Sequence, residues 1–235
     1  GAFEDAGTPM FALYLELARL ANQLTKTSLH VCVAVSDGHH AYAFVGDKYA
    51  RYDLKAGRVD AGFPRPIQAG WKGVFSDRLS TISGLDAVYF SRRGKAYFFC
   101  GNGYVRFDLE RDHADAGYPR YIKTHWPGVW SHGLVAVLPI SDDKVYFISD
   151  SACIRYDLHA DRAEPGYPRP LADEFAGLPL DLGPIQAAIA WHDGSYFFIC
   201  GDLVYRYDPS THAPSPGYPR RLTADLATHP FGFLD

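Results

Sequence analysis

From about residue 31 onward the chain alternates short apolar runs with short polar breaks. Asp86-Ala87-Val88-Tyr89-Phe90 gives way to Ser91-Arg92-Arg93-Gly94, Lys95-Ala96-Tyr97-Phe98-Phe99-Cys100 to Gly101-Asn102-Gly103, and Tyr104-Val105-Arg106-Phe107-Asp108 to a charged stretch. Runs of about five residues, rich in aromatic and β-branched side chains and broken by glycine turns, predict a meander of strands. A further, outer strand is expected before Gly117, where charged residues suit an exposed edge. The third run carries Arg106-Phe107-Asp108, and Gly117-Tyr118-Pro119-Arg120 follows nine residues later. The same phrase begins again at Arg51, Arg155 and Arg206, so the four copies stand 55, 49 and 51 residues apart. In a strand-rich chain, a repeat of roughly 40–50 residues predicts the blades of a propeller. Blades are expected at about 30–83, 84–132, 133–183 and 184–235, within one domain over about 30–235.

The chain before residue 30 follows another rhythm. Thr8 and Pro9 form a helix-start signal, with threonine as cap and proline in the first helical position. Met10, Leu13, Leu17, Leu20 and Leu24 then recur at spacings of three and four. They predict an amphipathic helix over about 9–26, inside a separate unit of about 1–29. Its stripe either packs on its own domain or pairs two copies of the chain as a homodimer.

Composition narrows the function classes. Aromatics are abundant, with 16 Tyr, 15 Phe and 4 Trp, which favours strands and flat packing between sheets. The formal charge of −4 comes with no run of Lys or Arg, so nucleic acid is not an expected partner. No apolar run approaches the roughly 20 residues needed to cross a bilayer, so a soluble protein without a membrane partner is expected. Cys100 and Cys200 occupy similar places in two repeats, and no Cys-x-x-Cys or Cys/His metal spacing occurs. Four buried thiols without a disulfide, in a reducing cytoplasmic setting, are therefore expected.

Aligning the copies brings Cys32, Ala87, Ala136 and Ala187 into register, each followed by a small apolar residue. Four small residues at one level would let four strands converge, and the expectation is that they line the central channel.

Together these features resemble the hemopexin-like repeat family, the four-bladed propellers of hemopexin, matrix metalloproteinase C-terminal domains and plant seed albumins. The resemblance rests on the four strand triplets, on the phrase from Arg106-Phe107-Asp108 to Gly117-Tyr118-Pro119-Arg120, and on Trp71 and Trp126, each with Gly-Val two residues on. It implies an all-β, four-bladed β-propeller, here with an N-terminal amphipathic α-helix. It also implies an axial calcium or sodium ion, with or without chloride, held by first-strand carbonyls. By position these belong to Val31, Asp86, Val135 and Gln186, with Val33, Val88, Val137 and Ala188 one level further in. Many members close the ring with a disulfide between the first and last blades. No cysteine follows Cys200 here, so closure is expected to be noncovalent, with the helix of about 9–26 as a candidate clasp.

Function is sought in what the repeat does not contain, since a feature written four times belongs first to the fold. His30, Asp86, His132 and Gln186 lead into the four first strands, and they would supply a carboxylate, an amide and two imidazoles to one mouth of the channel. His39, His40, Trp191 and His192 form a rival cluster at the opposite mouth. No nucleophile elbow, phosphate loop, zinc helix motif or fixed carboxylate pair occurs. The sequence thus points to a propeller that binds a small molecule or a protein partner, and the resemblance adds haem, polyamine or glycan as ligand classes. The alternative is an enzyme, a cyclase, isomerase or lyase, that uses the channel mouth for acid-base or orientation chemistry.

Overall fold

The computed structural model describes residues 31–36, 38–75, 84–178, 185–201 and 203–221. The helix expected over about 9–26 lies outside them, as does His30.

Four five-stranded antiparallel sheets follow one another along the chain. The first consists of Val31–Val35, His40–Val45 and Lys48–Asp53, with the two-residue strands Arg58–Val59 and Arg65–Pro66 pairing opposite ends of the third strand. The other sheets repeat this plan from their inner strands Ala87–Ser91, Ala136–Pro139 and Ala187–Ala190. Each inner strand packs against the inner strands of both neighbouring blades, and the fourth also meets the first, so the ring is closed. The expected outer strand is real but short. A two-residue outer strand leaves little edge for unwanted pairing.

The repeated phrase positions the outer part of each blade, because its aspartate and its arginine tie the third strand to the following turns through different partners. Asp53 accepts backbone N–H groups from Lys55 and Ala56, Asp108 from Glu110 and Arg111, and Asp157 from His159 and Ala160. These aspartates therefore cap the turns that follow the third strands. The arginines pair instead with an acid nine residues on: Arg51 with Asp60, Arg106 with Asp115, and Arg155 with Glu164, each at 2.5 Å. The guanidinium groups also lie over the aromatic ring of the Gly-aromatic-Pro-Arg turn. Arg51 and Arg65 flank Phe63, Arg106 and Arg120 flank Tyr118, and Arg155 and Arg169 flank Tyr167. The peptide before each of the four turn prolines is cis. Blade 4 breaks the rule because Ser215 stands where the acid would be, and Arg206 bonds to Asp193 at 2.8 Å.

Four apolar clusters fill the four seams between blades. A one-turn helix follows the outer strands of each of the first three blades: α1 (Ile67–Gly70), α2 (Ile122–His125) and α3 (Leu171–Glu174). Each is followed at once by a large ring, Trp71, Trp126 or Phe175, which enters the seam. There it meets a phenylalanine of the next blade: Trp71 with Phe98 at 5.1 Å, Trp126 with Phe147 at 5.2 Å and Phe175 with Phe198 at 4.9 Å between centroids. A glycine two residues after the ring presses on the next blade's outer strand. A Cβ on Gly128 (φ +89°) would stand 2.6 Å from the Ala163 Cβ, so only glycine fits. The Ala163 N–H donates to the Pro127 carbonyl, and the Ala114 N–H to that of Lys72.

One seam holds a largely buried carboxylate. Blades 1 and 2 place Tyr49 and Tyr104 beside Gly70 and His125, while blade 3 has Cys153 and Glu174 at the corresponding positions. The Glu174 carboxylate accepts hydrogen bonds from Tyr146 (2.6 Å), Tyr167 (2.8 Å) and Arg169 (3.2 Å). Burial alone would raise its pKa, but these donors outweigh burial and hold it below the usual carboxylate range. A group depressed in this way stabilises the fold above the unfolded value, and that contribution is lost as pH falls through the folded one. Replacing Glu174→Gln should cost on the order of 1–3 kcal/mol at pH 7. In thermal melts from pH 7 to pH 3 the gap to the unaltered protein should close below the ordinary glutamate range of about 4.3. A gap that stays constant down to pH 3 would remove the ionised carboxylate from the account.

Candidate axial site

The centre of the ring is built from backbone. In an antiparallel ladder, alternate residues exchange hydrogen bonds with the partner strand. Ser36 donates to His40, Ile140 to Lys144 and Trp191 to Ser195, which fixes the alternation in three blades. Cys32, Ala136 and Ala187 therefore face the second strand, paired with Phe44, Ile148 and Ile199. In the last three blades the residue before this position shares the same acceptor: the N–H groups of Asp86, Val135 and Gln186 bond to Phe99, Ile148 and Ile199. Ala87, paired with Phe99, thus follows the same rule. A trans peptide sets each carbonyl opposite the next residue's N–H. The carbonyls of Val31, Asp86, Val135 and Gln186 consequently point away from the second strands, toward the axis, as do those of Val33, Val88, Val137 and Ala188.

Sequence reasoning missed a third level, at Val35, Phe90, Pro139 and Ala190. Pro139 was its available signal, because a proline inside a strand belongs at a position with no ladder N–H to give.

The small residues in register do not line the channel. Cys32, Ala87, Ala136 and Ala187 are all buried, and each belongs to the seam between its own blade and the next. Strand side chains alternate between the two faces of a sheet, and in this ring both faces are seams, which leaves only the strand edge for the axis. Small side chains there let neighbouring inner strands approach. Burial pushes the Cys32 thiol up to about 12, with a lesser push from the Asp86 charge, against the N–H that Val88 gives it. Cys32 is therefore a neutral thiol, neither nucleophile nor anionic ligand. Cys100, Cys153 and Cys200 are likewise buried, and none of the four forms a disulfide.

The side chains expected at this mouth are present but engaged locally. Asp86 accepts the Gly101 N–H at 2.6 Å, His132 is exposed with its ring against the Ser131 hydroxyl at 3.0 Å, and the Gln186 side chain is exposed. At the opposite face the His192 ring packs on Trp191 at 5.3 Å, while His40 stands opposite Asp53. That face is also crossed by ion pairs from Arg92 to Asp142 at 3.0 Å and Arg93 to Asp143 at 2.8 Å. Among the described residues no cluster of His, Cys, Asp and Glu could hold a metal ion. The axis instead offers neutral oxygen donors, the set that suits a hard cation such as calcium rather than a transition metal.

The hemopexin family model matches residues 34–74, 85–131, 134–179 and 185–225, one span per sheet. The chain belongs to the hemopexin family. It is 32% identical to rabbit (Oryctolagus cuniculus) macrophage metalloelastase over 114 residues, which cover 47% of this chain and 23% of that protein. It is also 32% identical to Xenopus laevis matrix metalloproteinase-21 over 97 residues, 39% of this chain and 16% of that one. The matches thus span less than a quarter of these relatives. Among solved structures, a plant lectin with two metal binding sites from Cicer arietinum superposes with a TM-score of 0.67 at 21% identity, covering 86% of this chain and 97% of that one. A hemopexin-fold protein from cow pea gives 0.65 at 18% identity, covering 83% and 94%. At such identities these likenesses show the fold alone.

Asp86→Ala should remove the acceptor for the Gly101 N–H, costing about 1 kcal/mol, or roughly 2–4 °C in a domain of this size. His132→Ala should leave the melting temperature unchanged. Equal effects of the two would contradict this division between anchored and exposed mouth residues.

Proposed function

We propose that this hemopexin-family propeller is a binding module whose axis holds a hard cation and whose inlet mouth receives a polar ligand. The observation that carries the reading is the convergence of backbone carbonyls from four inner strands, led by Val31, Asp86, Val135 and Gln186. Neutral carbonyls in such a ring suit calcium, with six to eight oxygens at about 2.3–2.6 Å, or sodium. A cation there would supply a positive field at the mouth, where Asp86, His132 and Gln186 provide a carboxylate, an imidazole and an amide. The solved neighbours lend support, since one is a lectin with two metal binding sites and another is an albumin from Cicer arietinum showing hemagglutination. A polar ligand of the glycan class, or a glycosylated protein partner, fits such a mouth better than haem. Haem would need a His ligand beside an apolar cleft, whereas His132 is exposed and engaged with the Ser131 hydroxyl.

Thermal melts of the full chain in calcium, sodium and chelator test the reading. Calcium at about one hundred times its dissociation constant should raise the melting temperature by roughly 5–10 °C, and chelation should reverse the shift. Glycan-array binding should then depend on calcium and fall at least tenfold in a His132→Ala, Gln186→Ala double variant. No melting shift with either cation, together with glycan binding indifferent to chelation, would overturn the proposal.

A further inference from the structure

Blade 2 leaves open an edge that blades 1 and 3 close. The N–H groups of Ile67, Ile122 and Leu171 donate to the carbonyls of Asp47, Asn102 and Ser151 at 2.8, 2.9 and 3.0 Å. Backbone direction alternates along an antiparallel strand, so the residue before each of these turns its backbone away from the sheet. That residue is Pro66 in blade 1, Tyr121 in blade 2 and Pro170 in blade 3. Proline has no N–H to offer, and it guards sheet edges for that reason. Tyr121 keeps its N–H, and at 63% exposure it is the most exposed large apolar side chain among the described residues. Its carbonyl is already met from inside the chain, by the Thr124 hydroxyl at 3.1 Å and the His125 ring at 3.2 Å. The outward N–H is therefore what this edge offers a partner.

The charges around Tyr121 also set blade 2 apart. The Arg120 guanidinium lies on the Tyr118 ring, 4.6 Å from its centroid. Lys123 and His125 are exposed on the one-turn helix that follows. Where blade 2 has Thr124 and His125, blade 3 has Asp173 and Glu174. The adjoining turn of blade 2 is Gly101-Asn102-Gly103, whereas the same turn carries Asp47, Asp150 or Asp202 in the other blades. Asp86 meets the blade 2 turn from the inner-strand side, at the Gly101 N–H. Glu110 and Asp112 stand by the opposite end of the third strand, where His113–Ala114 pairs. An extended acidic peptide matches this corner, because an added strand takes main-chain hydrogen bonds from the edge while its carboxylates meet the cations. A sulfated glycan would meet the same cations. The exchange of proline for a residue with an N–H, at a strand edge, favours a main-chain partner.

We propose that the outer edge of blade 2, at Tyr121, docks an extended acidic segment of a partner protein as an added strand, with Arg120 and Lys123 receiving its carboxylates. Such docking needs neither the axial cation nor the mouth residues.

Fluorescence anisotropy with the full chain tests it, using an end-blocked peptide of about ten residues that alternates glutamate and valine. Main chain and charge are what the edge reads, so this generic probe suffices. Tyr121→Pro should weaken binding roughly five- to tenfold, for a lost hydrogen bond and a lost ring contact. Its melting temperature should stay within about 2 °C of the unaltered chain, because proline already stands at this position in blades 1 and 3. Lys123→Glu should weaken binding at least about threefold and improve that of the lysine-valine counterpart. Should the proline variant lose stability, Lys123→Glu and a second probe decide the question without touching the strand. That probe alternates glutamate and proline, so it carries the same charge but cannot add a strand, and it should bind at least roughly fivefold more weakly. Equal binding of the two acidic peptides would reduce the edge to a charge patch and overturn the proposal. So would binding by a folded Tyr121→Pro variant as tight as by the unaltered chain, or no binding of the glutamate-valine probe. Heparin binding that depends on Lys123, without peptide binding, would assign the corner to a sulfated glycan and likewise refute the proposal.

Discussion

The packing of each blade on the next rests on one contact made three times, a large ring from the connector against a phenylalanine of the next blade. Sheets that pack face to face leave a tapered gap between them, and Trp71, Trp126 and Phe175 fill it at the same depth. Truncating such a buried ring to alanine typically costs about 3–5 kcal/mol, comparable with a large part of a domain's net stability. The glycine that follows each wedge and the N–H groups of Ala114 and Ala163 lock the connector to the outer strand it meets. The same contact draws the inner strands together, and it therefore sets where the axis-facing carbonyls lie.

Polar residues divide accordingly between shaping and function. The arginines, their acids nine residues on and the turn-capping aspartates are spent on holding the outer strands, which is why they recur in register. The oxygens that face the axis come from the main chain and need no particular side chain. Val31, Asp86, Val135 and Gln186 can thus differ completely in character while their carbonyls take equivalent directions. Individuality enters at the rims and seams, where Cys153 and Glu174 in blade 3 replace the tyrosine and the Gly70 or His125 of blades 1 and 2, and where Ser215 releases Arg206 to Asp193 in blade 4.

The sheets and their order were legible from the period and the glycine breaks, because local propensity and repeat agree over every blade. The axis-facing carbonyls were legible through family resemblance and follow independently from strand alternation. The direction of Cys32, Ala87, Ala136 and Ala187 was not, because small size signals close approach without saying which surfaces approach. The partners of Arg51, Arg106 and Arg155 were hidden for a related reason. Two to four acids follow each arginine within nine residues, and only the turn geometry assigns one to the N–H groups and another to the guanidinium. The Glu174 network escaped notice because its members, Tyr146, Tyr167 and Arg169, come together only when the outer strand folds back on the third.

The most direct test is a crystal of the protein grown with a calcium salt and measured for anomalous scattering. The account predicts a single strong peak on the ring axis, about 2.3–2.6 Å from carbonyl oxygens of the four inner strands. An axis without a peak under saturating calcium, or calcium held only by side-chain carboxylates at the rim, would contradict it.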